Sequence, residues 1–561
     1  LLMQQANLQV AEQGSRKLEN QPRQNLLAEA FLASERARMR ALADLIAESR
    51  IDLRDGISPE LLRNEQDLGQ ELTIRKAERV ALQRKKAPVS EIDFVEQEIV
   101  RLTAAYEQTQ SKIRQMNPRF AALTRPSPIR LAEVQQQLLD AESVLLEFSL
   151  GEKRSYVWAI SREKFQVATL PSREEIEAQA QQFYDLLTAR SQSLKFETPQ
   201  QKQLRIARAE RQLKQIGASL SATLLQPVAE MLGQKRLLIV GDGILNYLPF
   251  AALPDPAMKG QKEQFPGKQS ESKKQNAASA FVPLLVNHEI TNLPSATVLA
   301  ELRRDLPSHK TATKDLAIIA DPVFNRWDER LNSNLGHLPQ EKNNVAVNQP
   351  VTTVLDNVMR SPTERDAGGL ARLPYSRREA AKIAALAPES QRLLALDFQA
   401  NRFLVTDGLL SSYRYIHFAT HGLLNSQSPE LSGLVLSLVN DSGEPQLGVL
   451  RLGDIYKLNL SAELVVLSAC RTGLGKEVRG EGVIGLSRGF MHAGVPRIIS
   501  SLWSVDDEAT AELMTRFYRE LMSGKSSPAA ALRSAQLSLR KTTSWQSPYY
   551  WAAFTLLGEP K

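Results

Sequence analysis

The stretch Leu464-Val465-Val466-Leu467-Ser468-Ala469-Cys470-Arg471-Thr472-Gly473 is an apolar run that stops at a reactive side chain followed by small residues. Its first four residues read as a buried β-strand, and Cys470 is the only cysteine of the chain. A second stretch is built the same way: Tyr413-Arg414-Tyr415-Ile416-His417-Phe418-Ala419-Thr420-His421-Gly422. A thiol past one strand end and an imidazole past another is how a cysteine-nucleophile hydrolase is assembled. Forty-nine positions separate His421 from Cys470, so only the fold can bring them together.

Outward from these two stretches, strands and helices alternate. Leu316 to Ala320 reads as a strand ending at Asp321-Pro322, followed by about fifty polar residues that read as a long mobile excursion. Then come helix Arg377 to Leu386 and strands Arg414 to Phe418, Leu434 to Leu438 and Leu464 to Leu467. Helix Gly482 to His492, strand Arg497 to Leu502, and helices Asp507 to Met522 and Pro528 to Arg540 complete the series. Such alternation implies a mostly parallel sheet covered on both faces. In an open α/β sheet, ligands bind outside the carboxyl ends of the strands, where Cys470 and His421 both fall.

Upstream, residues 1 to about 120 are helical in character. Asn25 to Glu48 carries helical periodicity, Ser58-Pro59 starts a helix, and Glu91 to Met116 pairs with that helix as an antiparallel hairpin. Val144 to Leu150 and Ser155 to Ile160 read as a β-hairpin. Helices Ser172 to Ala189 and Pro199 to Met231 follow, then strand Arg236 to Val240. Residues 255 to 280 lack periodicity and read as a flexible surface insertion.

Cysteine is intrinsically nucleophilic, and an imidazole beside it can raise its thiolate fraction or protonate a leaving amine. Gly422 lets a backbone approach a substrate closely, and its N–H with that of Cys470 can serve as oxyanion donors. Taken alone, a free cysteine is more often a small buried hydrophobe. The shared context of strand, small residue, reactive group and glycine brings the catalytic reading of the pair level with the structural one. His417, inside a strand, reads as a core or supporting histidine. One cysteine and scattered histidines give no metal-ligand spacing. The glycine-rich Gly473 to Gly482 lacks the phosphate-loop pattern and reads as a flexible loop flanking Cys470. Asp506-Asp507-Glu508 reads as a helix cap and acidic first turn, with a pocket carboxylate as the functional alternative.

At 42% apolar and 24% charged residues, the 561-residue chain is an ordinary globular protein of several domains. A single cysteine permits no intrachain disulfide and points to a reducing, cytoplasmic setting. A net charge of +7 is mild for this length, and no Lys/Arg run is interleaved with aromatics, so direct nucleic-acid binding is the least favoured reading. No apolar run reaches the roughly 18 residues of a membrane helix, and no signal-peptide pattern is present. The first residue is Leu1, which reads as a fragment of a longer protein.

Several motifs, in order, resemble the CHAT domain, a caspase-like domain often found beside tetratricopeptide repeats in bacteria. Phe418-Ala419-Thr420-His421-Gly422 and Leu467-Ser468-Ala469-Cys470-Arg471-Thr472-Gly473 are similar to its histidine and cysteine motifs. Gly480-Glu481-Gly482-Val483, Ser501-Leu502-Trp503 and Pro548-Tyr549-Tyr550-Trp551-Ala552-Ala553-Phe554 follow in its order. Leu238-Ile239-Val240-Gly241-Asp242-Gly243 resembles its opening half. The resemblance implies the peptidase clan of caspases, separases and gingipains, with a His421–Cys470 dyad, an oxyanion N–H from Gly422 and no cofactor. In separases an acidic residue after a Leu-Trp motif reads an arginine at the cleavage site. The matching position is Asp507, four after Trp503, and it can serve as both cap and pocket. Caspases cut after Asp instead, so the cleavage residue stays open.

The expected organisation has three parts. Residues 1–125 form a helical segment, the end of a tetratricopeptide array plus a long hairpin. Residues 126–310 are a non-catalytic α/β half, and residues 311–561 the caspase-like catalytic half. The expected function is a cysteine endopeptidase acting on a specific protein substrate. A second protein would bind or regulate it through the N-terminal helices or repeats upstream of them. The alternative is a catalytically silent scaffold for protein–protein interaction.

Overall fold

The computed structural model describes residues 20–48, 58–85, 88–116, 128–192, 194, 196–258, 282–306, 311–332, 370–423, 432–468, 470–472, 481–503 and 506–561. The expected insertion at 255 to 280, most of the polar excursion after Asp321 and the loop after Thr472 lie largely outside the described residues. The chain divides into two compact units: residues up to Glu35 with Ile129–Lys561, and Arg36–Pro128.

The strands, in chain order, are β1 Ser143–Ser149, β2 Ser155–Ile160, β3 Phe165–Leu170, β4 Arg236–Val240, β5 Ile290–Leu293, β6 Lys314–Ala320, β7 Arg392–Leu396 and β8 Tyr413–Ala419. Then follow β9 His421–Leu423, β10 Gly433–Val435, β11 Val449–Arg451, β12 Leu464–Leu467, β13 Cys470–Thr472, β14 Arg497–Ser501 and β15 Phe554–Gly558. The long helices are α1 Asn20–Glu48, α2 Pro59–Lys85, α3 Val89–Met116, α4 Arg173–Leu187, α5 Pro199–Leu224, α6 Ala296–Asp305 and α7 Pro374–Ala384, with α8 Glu481–His492, α9 Asp507–Met522 and α10 Pro528–Arg540.

Among the described residues, eleven strands form one sheet in the order β3-β2-β1-β4-β5-β15-β14-β12-β8-β6-β7. Neighbours are antiparallel only at β3–β2, β2–β1 and β15–β14, so the sheet is mostly parallel, as expected from the alternation. Strands from both expected α/β halves lie in it. Successive side chains of a strand face opposite sides. Leu237 and Ile239 accordingly join the core with α4, α5, α9 and α10, while Leu238 and Val240 join a second core with α6 and the start of α1. The remaining strands, β11-β10-β9-β13, make a separate four-stranded sheet.

Two expectations need correction. The expected strand Leu434 to Leu438 is β10 only, and it belongs to the small sheet. Past Val435 the backbone partners change at nearly every residue. Leu436 N–H bonds Gly448, Ser437 bonds Ala400 and Leu438 bonds Val323, so no ladder continues. The helix expected to reach Met231 stops at Leu224, because Pro227 lacks an N–H and the chain passes through the short 3-10 turn Gln226–Val228.

Within the second unit, α2 and α3 pack as an antiparallel hairpin. Asn64 donates to Thr109 at 3.2 Å, and Arg79 lies 3.7 Å from Glu96. No helix of the described residues is long and apolar enough to cross a membrane.

In the first unit, Glu35 is fully buried at the N-terminus of α6. Its carboxylate accepts from Ala296 N–H at 3.2 Å, Thr297 N–H at 2.7 Å and the Thr297 hydroxyl, while the Ser295 hydroxyl accepts from Val298 N–H. The first three N–H groups of α6, which have no partner inside the helix, are thus all satisfied, and the negative charge sits at the positive helix end. Nearby, Ser34 donates to Glu147 at 2.7 Å, and Phe31 meets Trp158 edge-on. Glu35→Ala is expected to cost about 3 kcal/mol, the scale of charged hydrogen bonds lost with donors left buried. Urea unfolding of the full chain measures it as a lower midpoint.

Candidate active site

The two motifs leave the main sheet together. β8 and β12 are parallel neighbours, with Val466 opposite His417 and Leu467 opposite Phe418. Ser468 N–H still bonds Phe418 at 2.8 Å. Beyond that point each chain steps into the small sheet. The Thr420 hydroxyl bonds the Val435 carbonyl, and β9 then pairs with β13 in parallel. Cys470 is the register partner of His421, and Arg471 that of Gly422. Neighbouring strands lie roughly 4.8 Å apart, so the backbones at 421 and 470 stand one ladder spacing from each other. On its other side β9 pairs with β10, Gly422 opposite Leu434.

His421 is buried, with its ring centroid 5.0 Å from that of Phe324. Its Nε2 lies 2.7 Å from the Ala371 carbonyl oxygen. A carbonyl only accepts, so Nε2 carries the proton and Nδ1 keeps a lone pair. That Nδ1 is buried and has no hydrogen-bond partner among the described residues. Burial pushes the imidazole below its usual range, and the Ala371 carbonyl opposes this only in part. The ring is therefore neutral at pH 7 and able to take a proton on Nδ1.

The depressed value also bears on stability. Below about pH 6.5 the unfolded chain protonates this histidine while the folded chain resists, so acid weakens the fold. His421→Gln removes that contribution. The stability of wild type relative to His421→Gln is expected to decline as pH falls from about 6.5 through the folded value, read from urea midpoints at each pH.

Beside this corner a cavity opens at the carboxyl ends of β12 and β14. Ser468, Ser501, Trp503 and Phe554 line it from the sheet side. Leu373, Tyr375, Ser376 and Glu379 contribute from the start of α7, and Asp507 and Thr510 from α9. Asp506, not Asp507, caps α9: its side chain accepts from Ala509 N–H at 3.0 Å. Asp507 is left facing the cavity. Burial, and then the charges of Asp506 and Glu379, hold its carboxyl above the usual range.

The second carboxylate, Glu379, is buried. Its Oε1 lies 3.1 Å from His417 Nε2 without hydrogen-bond alignment, and His417 Nδ1 lies 3.2 Å from the Tyr518 hydroxyl. Burial and Glu379 raise the Tyr518 phenol well above its usual range. No Lys or Arg lines the cavity among the described residues; Asp507 faces it, and Glu379 has His417 Nε2 at 3.1 Å.

Glu379 and Ala371 were not singled out in the sequence. The signal for Glu379 was available, since it sits on the buried stripe of α7 with Ser376, Ala380 and Ile383. An acid on an apolar helix face needs a reason. Ala371 acts through its carbonyl, which leaves no mark in residue type.

The chain matches the family model of the CHAT domain over residues 214–559. Tetratricopeptide repeat protein 28 of Mus musculus is 33% identical over 110 residues, covering 20% of this chain and 4% of that protein. Its Homo sapiens counterpart is 34% identical over 110 residues with the same coverage. The chain therefore spans only a small part of the curated relatives it matches. Among solved structures, the Saccharomyces cerevisiae separase–securin complex aligns with TM-score 0.45 at 9% identity, over 82% of this chain and 32% of that one. The Arg-specific cysteine proteinase gingipain R aligns with TM-score 0.30 at 11% identity, over 69% of this chain and 75% of that one.

Proposed function

The chain belongs to the CHAT domain family, and from that premise we propose that it is a cysteine endopeptidase that cuts a specific protein substrate. The observation that carries this reading is the register of the small sheet, which sets position 470 opposite position 421. The imidazole whose Nδ1 has no hydrogen-bond partner among the described residues supports it.

The chemistry follows from those groups. The Cys470 thiol gives its proton to His421 Nδ1 as sulfur bonds to the scissile carbonyl carbon. The Cys470 N–H, on the outer strand of the small sheet, is the proposed donor to the oxyanion. The tetrahedral species collapses, the C–N bond breaks and Nδ1 returns the proton to the leaving amine. Water, with Nδ1 again as base, then hydrolyses the thioester and restores the thiol.

The two-carboxylate cavity favours a basic residue on the acyl side of the cut. A guanidinium entering it would meet the carboxylate of Asp507, in a cavity that no Lys or Arg lines among the described residues. The N-terminal helices are the proposed contact for a regulatory protein partner.

Acyloxymethyl-ketone peptides ending in Arg or in Asp test the reading directly. The Arg probe is expected to alkylate Cys470, located by peptide mass, and the Asp probe to leave it untouched. If neither probe labels the full chain, the chain is a binding scaffold and the endopeptidase reading falls.

A further inference from the structure

The carbonyl that fixes His421 belongs to the peptide unit whose nitrogen is that of Arg372. The Arg372 side chain is locked. Its Nε and Nη2 donate to the two oxygens of Asp321 at 3.0 and 2.9 Å, a bidentate pair, and its Nη1 donates to Glu329 at 2.7 Å. Asp321 is fully buried and holds a left-handed backbone at φ 45°. It also accepts from Arg377 at 2.6 Å, and its N–H bonds the Ser376 hydroxyl at 3.1 Å. The next strand over, β7, ends the same way at Asp397, φ 53°, which receives both Arg377 and Arg330. Residues 372–377 are thereby pinned to the turn after β6 at three points.

That turn reaches His421 a second time. Phe324, three residues past Asp321, packs on the imidazole ring. One turn thus supplies both the anchor for the Ala371 carbonyl and a wall for the ring.

We propose that Arg372, clamped on Asp321, is a positioning residue that sets the proton of His421 on Nε2 by fixing the Ala371 carbonyl. The inference rests on the dyad reading for its purpose. Its physical content is the imidazole tautomer, which can be read whether or not the chain cleaves peptides. Lysine cannot replace the fork, because a single ammonium cannot hold both carboxylate oxygens in plane.

The test is long-range proton–nitrogen NMR of the full chain labelled with ring-15N histidine. The His421 signals are assigned by their loss in His421→Gln. In wild type at pH 7.5, His421 is expected to show a protonated Nε2 and a lone-pair Nδ1. A proton on Nδ1 instead overturns the proposal. In Arg372→Gln, and in Arg372→Lys, the two nitrogens are expected to shift toward the averaged values of a tautomer mixture. Alkylation of Cys470 by iodoacetamide is expected to slow, losing part of the roughly 10²–10⁴-fold that a positioned base contributes. Arg402→Gln breaks a comparable pair, with Asp454 at 2.6 Å, and is expected to leave the His421 signals in place. A folded Arg372→Gln or Arg372→Lys chain with the wild-type tautomer overturns the proposal. If neither variant folds, the wild-type tautomer decides. A shifted tautomer in a chain that no peptide probe labels retains this inference and removes only the endopeptidase reading.

Discussion

Cys470→Ala is expected to abolish cleavage of an arginyl peptide, lowering kcat by about 10⁴-fold or more. That is the scale lost when a covalent nucleophile goes and only binding and oxyanion stabilisation remain. His421→Ala is expected to fall nearly as far, since an attacking thiol without a base leaves both the thiolate and the amine unassisted. The double variant should be little worse than either single one, because the two residues act as one unit. A progress curve with a fluorogenic arginyl peptide measures all three. Cleavage that persists in Cys470→Ala would remove the mechanism, and additive losses would remove the dyad.

The second large effect concerns the acidic cavity. Asp507→Asn is expected to lower kcat/KM for an arginyl peptide by about 10²-fold and for a neutral one by less than about threefold. Truncating one partner of a buried charge pair typically costs about 2–5 kcal/mol. Glu379→Gln should act in the same direction, and the double variant should lose the preference for Arg altogether. Without substrate the sign reverses. Asp507 has a folded-state value raised above its unfolded one, chiefly by burial and then by Asp506 and Glu379. Its stabilising share is present below the unfolded value and is lost as pH rises through the folded value. At pH 7 the free Asp507→Asn chain should therefore unfold at a higher urea concentration than wild type. A less stable Asn variant would mean that the carboxylate has a partner in the free protein. The cavity would then be a structural ion site.

How much of this could be read from residues varied with how local the cause was. The runs Leu464–Leu467 and Leu237–Val240 announce strands because every residue is apolar, as burial on both faces demands. β3 and β7 carry mostly half-buried residues near the sheet edges, and β5 is four residues long, so their patterns are faint. The order of strands is not local at all: nothing in Phe554–Gly558 says that it pairs with Arg497–Ser501 on one side and near Asn292 on the other. At the site, His421 and Cys470 stood out because of their side chains and strand contexts. The distinction between Asp506 and Asp507 needed the helix phase, which only the cap bond to Ala509 fixes.

The place of β15 has a consequence for how the molecule comes into being. It is the last strand of the large sheet in chain order, yet it lies between β5 and β14. While a ribosome is still making the chain, the β1–β5 side and the β6–β14 side have no strand to join them, and both β5 and β14 present open edges. Such edges invite pairing with the wrong chain. Five residues translated after everything else in the sheet therefore close it. Residues 501–503 bond to or pack against the segment 549–554, through Leu502 N–H to Ala553 and Trp503 Nε1 to Tyr549. The acidic cavity that they line is completed only then, so a nascent chain, or one cut short before β15, carries both motifs without the finished cavity.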